Sequence, residues 1–342
     1  MKDGQFTLNE ILTQPEGWAE TLEYIDGHIE ELKDLQIGNY DEVLFTGCGS
    51  TYYLAQSAAR LFRATTGEFA EALPGSEIWL YPETSYNPNK NTLLVAISRS
   101  GKTSETVNAV RDFRLKAKGS VLTLSGYAGE DLSGLGDINL MIEAAKEESI
   151  AQTRAFSSLF LAITAIILIW SERNAEYKSM KALPEIAKRL LNNHYQDIKN
   201  IGANLGLSRF YFLGSGVRLG LANELSLKMK EMTLSHSEAF HCLEFRHGPM
   251  AMVNESTLII GLISKEHFEK EIAVLNEMHH RGAKVISFSE KGGDISFESG
   301  LSEIVLDVLF LPLLQALAYE RSLAKGLNPD KPNNLEAVVV LT

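Results

Sequence analysis

Three stretches of the chain gather side chains that can hold charge or move protons. Ser98-Arg99-Ser100-Gly101-Lys102-Thr103-Ser104 places four hydroxyls around one glycine. Hydroxyls and backbone N–H groups at such a turn form a concave donor set suited to a phosphate monoester. Gly47-Cys48-Gly49-Ser50-Thr51 follows an apolar run and opens a helix-like stretch, where glycines permit close backbone approach and a helix N-terminus receives an anion. A tight turn with no ligand fits the same residues. The third stretch runs from Lys228 to Pro249: Lys228 and Glu231 are helical neighbours three apart, and Glu244, Arg246 and His247 crowd ahead of Gly248-Pro249. A carboxylate and an imidazole are the usual pair for general acid–base work. The same spacing also fits a surface ion pair, with His247 bracing a loop.

Two nucleotide readings fail on these residues. The Gly47 turn lacks the third glycine of GxGxxG and an acidic residue closing a second strand. Ala96 to Thr103, AISRSGKT, satisfies a loose P-loop pattern only with alanine at the first glycine, and no apolar strand ending in aspartate stands out as a metal partner.

The elements that must carry these turns alternate. Short apolar runs at Val43-Leu44-Phe45, Ile78-Trp79-Leu80, Leu93 to Ile97 and Val121 to Leu124 read as strands, with amphipathic stretches such as Thr103 to Lys116 between them. That alternation predicts βαβ units in a parallel sheet. Phe6 to about Leu35 has helical spacing through Trp18, Leu22, Ile25 and Ile29, and the apolar run from Leu159 to Trp170 predicts a buried helix. The second half repeats the first. VLFTGCGS is matched by FYFLGSGV at an offset of 214 − 47 = 167, LLVAIS by IIGLIS at 264 − 98 = 166, and GSVLTLSG by AKVISFSE. In the repeat, Gly214 to Val217 and Ser264 to His267 have lost hydroxyls and gained an acid, so only the first half is expected to take phosphate. The predicted fold class is α/β: two tandem doubly wound, flavodoxin-like three-layer αβα domains with parallel sheets. Expected boundaries are 1–40 for an N-terminal helical arm, 41–175 for the first domain, 176–205 for a helical connector, 206–325 for the second domain and 326–342 for a tail.

Composition narrows the class. The 342 residues carry 32 Lys plus Arg and 44 Asp plus Glu, a net charge of −12, the wrong sign for a nucleic-acid or anionic-lipid surface. No apolar run reaches the roughly 20 residues of a membrane span. Cys48 and Cys242 follow no metal spacing and no secretory signal opens the chain, so a reduced, cytoplasmic protein without nucleic-acid or membrane partners is expected. His236, His241, Cys242 and His247 match no strong zinc pattern, and no metal or cofactor is expected. His279-His280 reads as solvent-facing.

Taken together, CGST at Cys48, SRSGKTSET at Ser98, TRAF at Thr153, GSGVRLGLANELSLKMKE at Gly214, EFRHGP at Glu244 and AYERSLAKGLNPDKPNNL at Ala318 resemble the sugar isomerase (SIS) family from about Asp41 to Thr342. The resemblance is to the isomerase half of glucosamine-6-phosphate synthase and to the stand-alone amino-sugar-phosphate deaminases and deglycases. It implies that Ser50, Thr51, Ser98, Arg99, Ser100 and Thr103 surround a substrate phosphate, with Cys48, Gly49 and Thr153 as further contacts. It implies Glu231 as the acid/base at carbons 1 and 2, Lys228 in the same pocket, and His247 in ring opening and proton shuttling. In many members that histidine comes from the neighbouring subunit, which implies a homodimer with shared active sites. The expected reaction converts glucosamine 6-phosphate or galactosamine 6-phosphate to the ketose phosphate and ammonia. Fructosamine-6-phosphate deglycation and a non-catalytic sugar-phosphate regulator are the alternatives. The start MKDGQ, without a glutaminase domain, implies that the chain does not draw ammonia from glutamine by itself, and Ala337 stands where the synthase tail has its ring-opening lysine.

Overall fold

The computed structural model describes residues 3–341; Met1, Lys2 and Thr342, the ends of the expected arm and tail, lie outside them. The chain divides into two compact units. One comprises Glu16–Glu147, Arg154–Lys181 and the segment from Glu336; the other comprises the segment ending at Pro15, Glu148–Thr153 and Ala182–Leu335.

The first unit is built on β1 (Glu42–Gly47), β2 (Ala70–Pro74), β3 (Asn91–Ser98), β4 (Lys118–Ser125) and β5 (Ile138–Met141), parallel throughout in the order β2-β1-β3-β4-β5. β1 is buried along its whole length, as a strand covered by helices on both faces must be. The Ser104–Lys116 helix sets Val107, Val110 and Phe113 against Leu44, Leu94 and Val121, so its apolar stripe and the strand interiors form one core. The Arg154–Trp170 helix, the predicted apolar run, is buried through Ile169.

The second unit repeats this order with β6 (Arg209–Gly214), β7 (His236–Phe240), β8 (Thr257–Leu262), β9 (Lys284–Ser289) and β10 (Ile295–Ser296), parallel as β10-β9-β8-β6-β7. Both sheets therefore have the 2-1-3-4-5 connectivity of a doubly wound fold. The repeat extends to single glycines. A Cβ at Gly47 would lie 2.5 Å from Thr51 Oγ1, and one at Gly214 would lie 2.5 Å from the Arg218 carbonyl. Two residues on, Gly49 and Gly216 have φ of 56° and 59°. Each first strand thus turns into its helix by the same close approach.

One expectation needs correction. Ile78-Trp79-Leu80 is not a strand; it lies in the Gly75–Leu80 helix, and β2 is the preceding Ala70–Pro74. Three apolar residues are too few to show a period, and here Ile78 is buried while Leu80 is 54 % exposed. The N-terminal arm is three helices, Gln5–Leu12, Gln14–Asp26 and Ile29–Asp34, interrupted at Thr13 and at Gly27-His28. Among the described residues no helix is long and apolar enough to cross a membrane.

Because Gly214 meets backbone rather than a movable side chain, Gly214→Ala should cost about 1–3 kcal/mol by overpacking. Calorimetry should record a thermal midpoint several degrees lower; an unchanged midpoint would contradict the close approach.

Candidate active site

In a doubly wound sheet, ligands sit beyond the carboxyl ends of the strands where the strand order reverses. In the first unit that point lies between β1 and β3, and both hydroxyl-bearing turns leave the sheet there. After β3, Gly101 adopts φ 67° and the chain doubles back so that three hydroxyls converge. Ser98 Oγ lies 3.4 Å and Ser100 Oγ 3.5 Å from Thr103 Oγ1. Gly101 N–H donates to Ser98 Oγ and Lys102 N–H to Ser100 Oγ, each at 3.2 Å, which orients the oxygens. The Ser104–Lys116 helix starts directly behind them with no side-chain cap at Thr103. Helix N-terminus and hydroxyls therefore present one donor surface.

After β1, Ser50 and Thr51 begin the Ser50–Thr66 helix and are buried. Thr51 Oγ1 donates to the Cys48 carbonyl and accepts the Cys48 N–H, both at 3.0 Å, so this hydroxyl braces the turn itself. Cys48 places its sulfur 3.3 Å from Thr106 Oγ1. Burial raises its thiol above the ordinary value, so it is a packed thiol rather than a thiolate nucleophile.

Arg99 is nearly buried between the two serines. Its guanidinium lies 3.6 Å from the Glu147 carboxylate and donates to the Ala337 carbonyl at 2.9 Å. The tail continues over the same turn: Ser104 N–H donates to the Val339 carbonyl at 3.3 Å and Leu341 N–H to Ser104 Oγ at 2.9 Å. Sequence reasoning missed Glu147 and these tail contacts. The one available signal for Glu147 was an acid placed six residues ahead of TRAF.

The matching point of the second unit, between β6 and β8, is filled by the chain's own carboxylates. Glu271 accepts the Ser264 N–H at 2.7 Å and Glu303 accepts the Lys265 N–H at 2.9 Å. Arg218, at the head of its helix, pairs with Glu303 and, at 3.0 Å, with Asp307. Backbone donors comparable to those of the first unit are thus occupied. Asp307 is fully buried, and desolvation pushes its carboxyl up to about 6 against the opposing pull of Arg218.

The acid/base candidates belong to this second unit. The Arg218–Thr233 helix carries Glu224, Lys228 and Glu231 on one face. Lys228 is 1 % exposed, held by Glu231 and, at 3.4 Å, by the fully buried Glu224. Glu231 keeps 20 % of its side chain exposed. A lysine sunk between two carboxylates is not a solvated surface pair. Of the two carboxylates, Glu231 is the one that reaches solvent. Glu224, four residues before Lys228, was legible from the helical period and was missed.

His247 follows the Glu244–Arg246 turn and is exposed, its ring making no hydrogen bond among the described residues. The turn beneath it is anchored. Phe245 packs against Tyr211 and Phe240 at 5.0 and 5.5 Å, and Arg246 donates to Glu277 at 2.8 Å. Thr153 is buried, and its carbonyl accepts from Gln315 at 3.1 Å. Among the described residues no group of three or more His, Cys, Asp or Glu is placed to hold a metal. Cys242 is buried with its thiol pushed up to about 12, whereas His236, His241 and His247 are exposed. His279 and His280 are exposed as expected.

A sequence model of the SIS domain matches residues 37–169 and 207–300. Glutamine–fructose-6-phosphate aminotransferase (isomerizing) of Clostridium acetobutylicum is 28 % identical over 98 % of this chain and 59 % of its own length. The chain spans about three fifths of the curated relatives it matches. Glucosamine-6-phosphate deaminase of Thermotoga maritima superposes with a TM-score of 0.78 at 27 % identity, covering 94 % of this chain and all of that one. A putative tagatose-6-phosphate ketose/aldose isomerase of Clostridium novyi shares the fold, with a TM-score of 0.88 at 24 % identity over 98 % of this chain and 93 % of that one.

The Asp307 geometry has a pH signature. Its folded-state pKa lies above the unfolded value, so stability is greatest below about pH 4, falls as pH rises toward about 6, and is then level with respect to this group. Asp307→Asn should flatten that segment of the stability–pH curve in urea titrations. An identical slope in both proteins would exclude Asp307 as its source.

Proposed function

Since the chain belongs to the SIS domain family, we propose that it is a phosphosugar enzyme that deaminates a 2-amino-2-deoxyhexose 6-phosphate, glucosamine 6-phosphate or galactosamine 6-phosphate, by proton transfer between carbons 1 and 2. The observation that carries the reading is the burial of Lys228 between Glu224 and Glu231, with Glu231 the carboxylate that stays partly accessible. The likeness to a stand-alone glucosamine-6-phosphate deaminase over that protein's full length supports the amino-sugar choice.

The substrate phosphate takes the donors of Ser98, Ser100 and Thr103, the adjacent helix N-terminus, Ser50 and Arg99, with Thr51 holding its turn in shape. Cys48, Gly49 and Thr153 are secondary contacts in the same reading. In the open aldehyde form, the Glu231 carboxylate removes the proton on carbon 2 as oxygen 1 takes a proton, giving an enolamine, and returns a proton to carbon 1 as the nitrogen gives one up. The product is the ketose imine, which water hydrolyses to ammonia and the ketose 6-phosphate. The Lys228 ammonium, paired with Glu231, orients that carboxylate. His247 exchanges the ring-oxygen proton on opening. Its exposure and lack of an internal hydrogen bond suit a histidine offered to a second copy, so a homodimer with shared sites belongs to the same proposal.

Purified protein should release ammonia and ketose phosphate from one of the two amino sugars, and Glu231→Gln should lower kcat by about 10²–10⁴ with little change in KM. A free amino acid released from a fructosamine 6-phosphate would make it a deglycase. Binding without turnover would make it a regulator. Ser98→Ala with Thr103→Ala should raise KM at least tenfold while kcat stays within a few fold, read from initial rates.

A further inference from the structure

Of the two cations in the hydroxyl turn, Lys102 is exposed and paired with Glu130 at 3.0 Å, whereas Arg99 is buried, and what aims Arg99 is a carboxylate outside every motif of the sequence. A guanidinium has five donors in a fixed fork and works at a phosphate only when its plane is held. Glu147 supplies the hold. Its side chain is wholly buried; one carboxylate oxygen accepts the Ala155 N–H at 3.0 Å and the other faces Arg99 at 3.6 Å. Ala155 lies in the first turn of the Arg154–Trp170 helix, so the carboxylate is itself fixed by a helix N-terminus. Glu147 N–H donates to Tyr127 Oη at 3.4 Å, fixing the backbone behind it.

We propose that Glu147 is a positioning residue that sets the guanidinium plane of Arg99 in the phosphate turn. It rests on the reading of that turn as the phosphate site. Charge is the decisive property. An amide at residue 147 still accepts the Ala155 N–H, so helix capping survives Glu147→Gln, whereas the charge that orders Arg99 does not. A role confined to capping would leave substrate affinity untouched.

The test is a double-mutant cycle on the full chain with Glu147→Gln, Arg99→Gln and the pair. Binding of glucosamine 6-phosphate and of inorganic phosphate is read by calorimetry, beside steady-state kinetics. Wild-type protein should bind glucosamine 6-phosphate, and Glu147→Gln should weaken it about tenfold with kcat within twofold. The double variant should be no weaker than Arg99→Gln alone. Glu147→Asp, with its charge on a shorter arm, should recover part of the affinity. If Glu147→Gln does not fold, the aspartate carries the comparison: weakened binding with kcat retained supports the proposal, and wild-type binding overturns it. Unchanged affinity in Glu147→Gln, or additive losses in the cycle, overturn the role of Glu147 while leaving the phosphate site standing. Wild-type protein that binds neither ligand overturns the phosphate site and this role together.

Discussion

A lysine ammonium taken fully out of water costs several kcal/mol unless opposite charge lies beside it. The Arg218–Thr233 helix meets that constraint by spacing alone, with Glu224 one turn before Lys228 and Glu231 one turn after. The arrangement is asymmetric in a useful way. Glu224 is sealed beside Lys228, whereas Glu231 shares the same cation and still reaches solvent. A carboxylate held in place and open to solvent is what proton transfer between adjacent carbons requires. The helix end is fixed as well, since Lys325 Nζ donates to the Thr233 carbonyl at 2.6 Å.

The two sheets are one scaffold put to opposite uses. Both have the same strand order, and both first strands turn into their helices through the same pair of glycines. At the first reversal of strand order the turn after β3 gathers hydroxyls ahead of an uncapped helix. At the second, Glu271 and Glu303 take the backbone donors and Arg218 takes the carboxylates. An anion entering there would meet negative charge already seated, and Coulomb repulsion at a few ångströms in a poorly solvated site exceeds what two N–H groups return. On the proposed reading, one phosphate position per chain follows from charge placement rather than from fold.

The tail adds a further layer to the first unit. Ala337, Val339 and Leu341 engage Arg99 and Ser104 through backbone atoms alone. Side chains in this stretch are therefore free to vary without loss of the contact. An alanine at residue 337 accordingly provides a carbonyl to Arg99 but no amine to a substrate.

Much of this was written in the residues. The parallel α/β class followed from fully apolar strand runs, the repeat from fixed offsets, and the hydroxyl turn and the Lys228–Glu231 pair from types at short spacing, because each depends only on neighbours a few residues apart. The structure alone decided that Ile78 to Leu80 is helical, since three residues carry no period and the burial of one face settles the matter. It alone showed that Lys228 is sunk rather than solvated, that Thr51 spends its hydroxyl on its own turn, and that Glu147 stands behind Arg99. It also showed that Arg218 sits among carboxylates from two separate segments, Glu271 from one and Glu303 and Asp307 from the other. Burial and pairing across long sequence separations are properties of packing, and no local pattern encodes them.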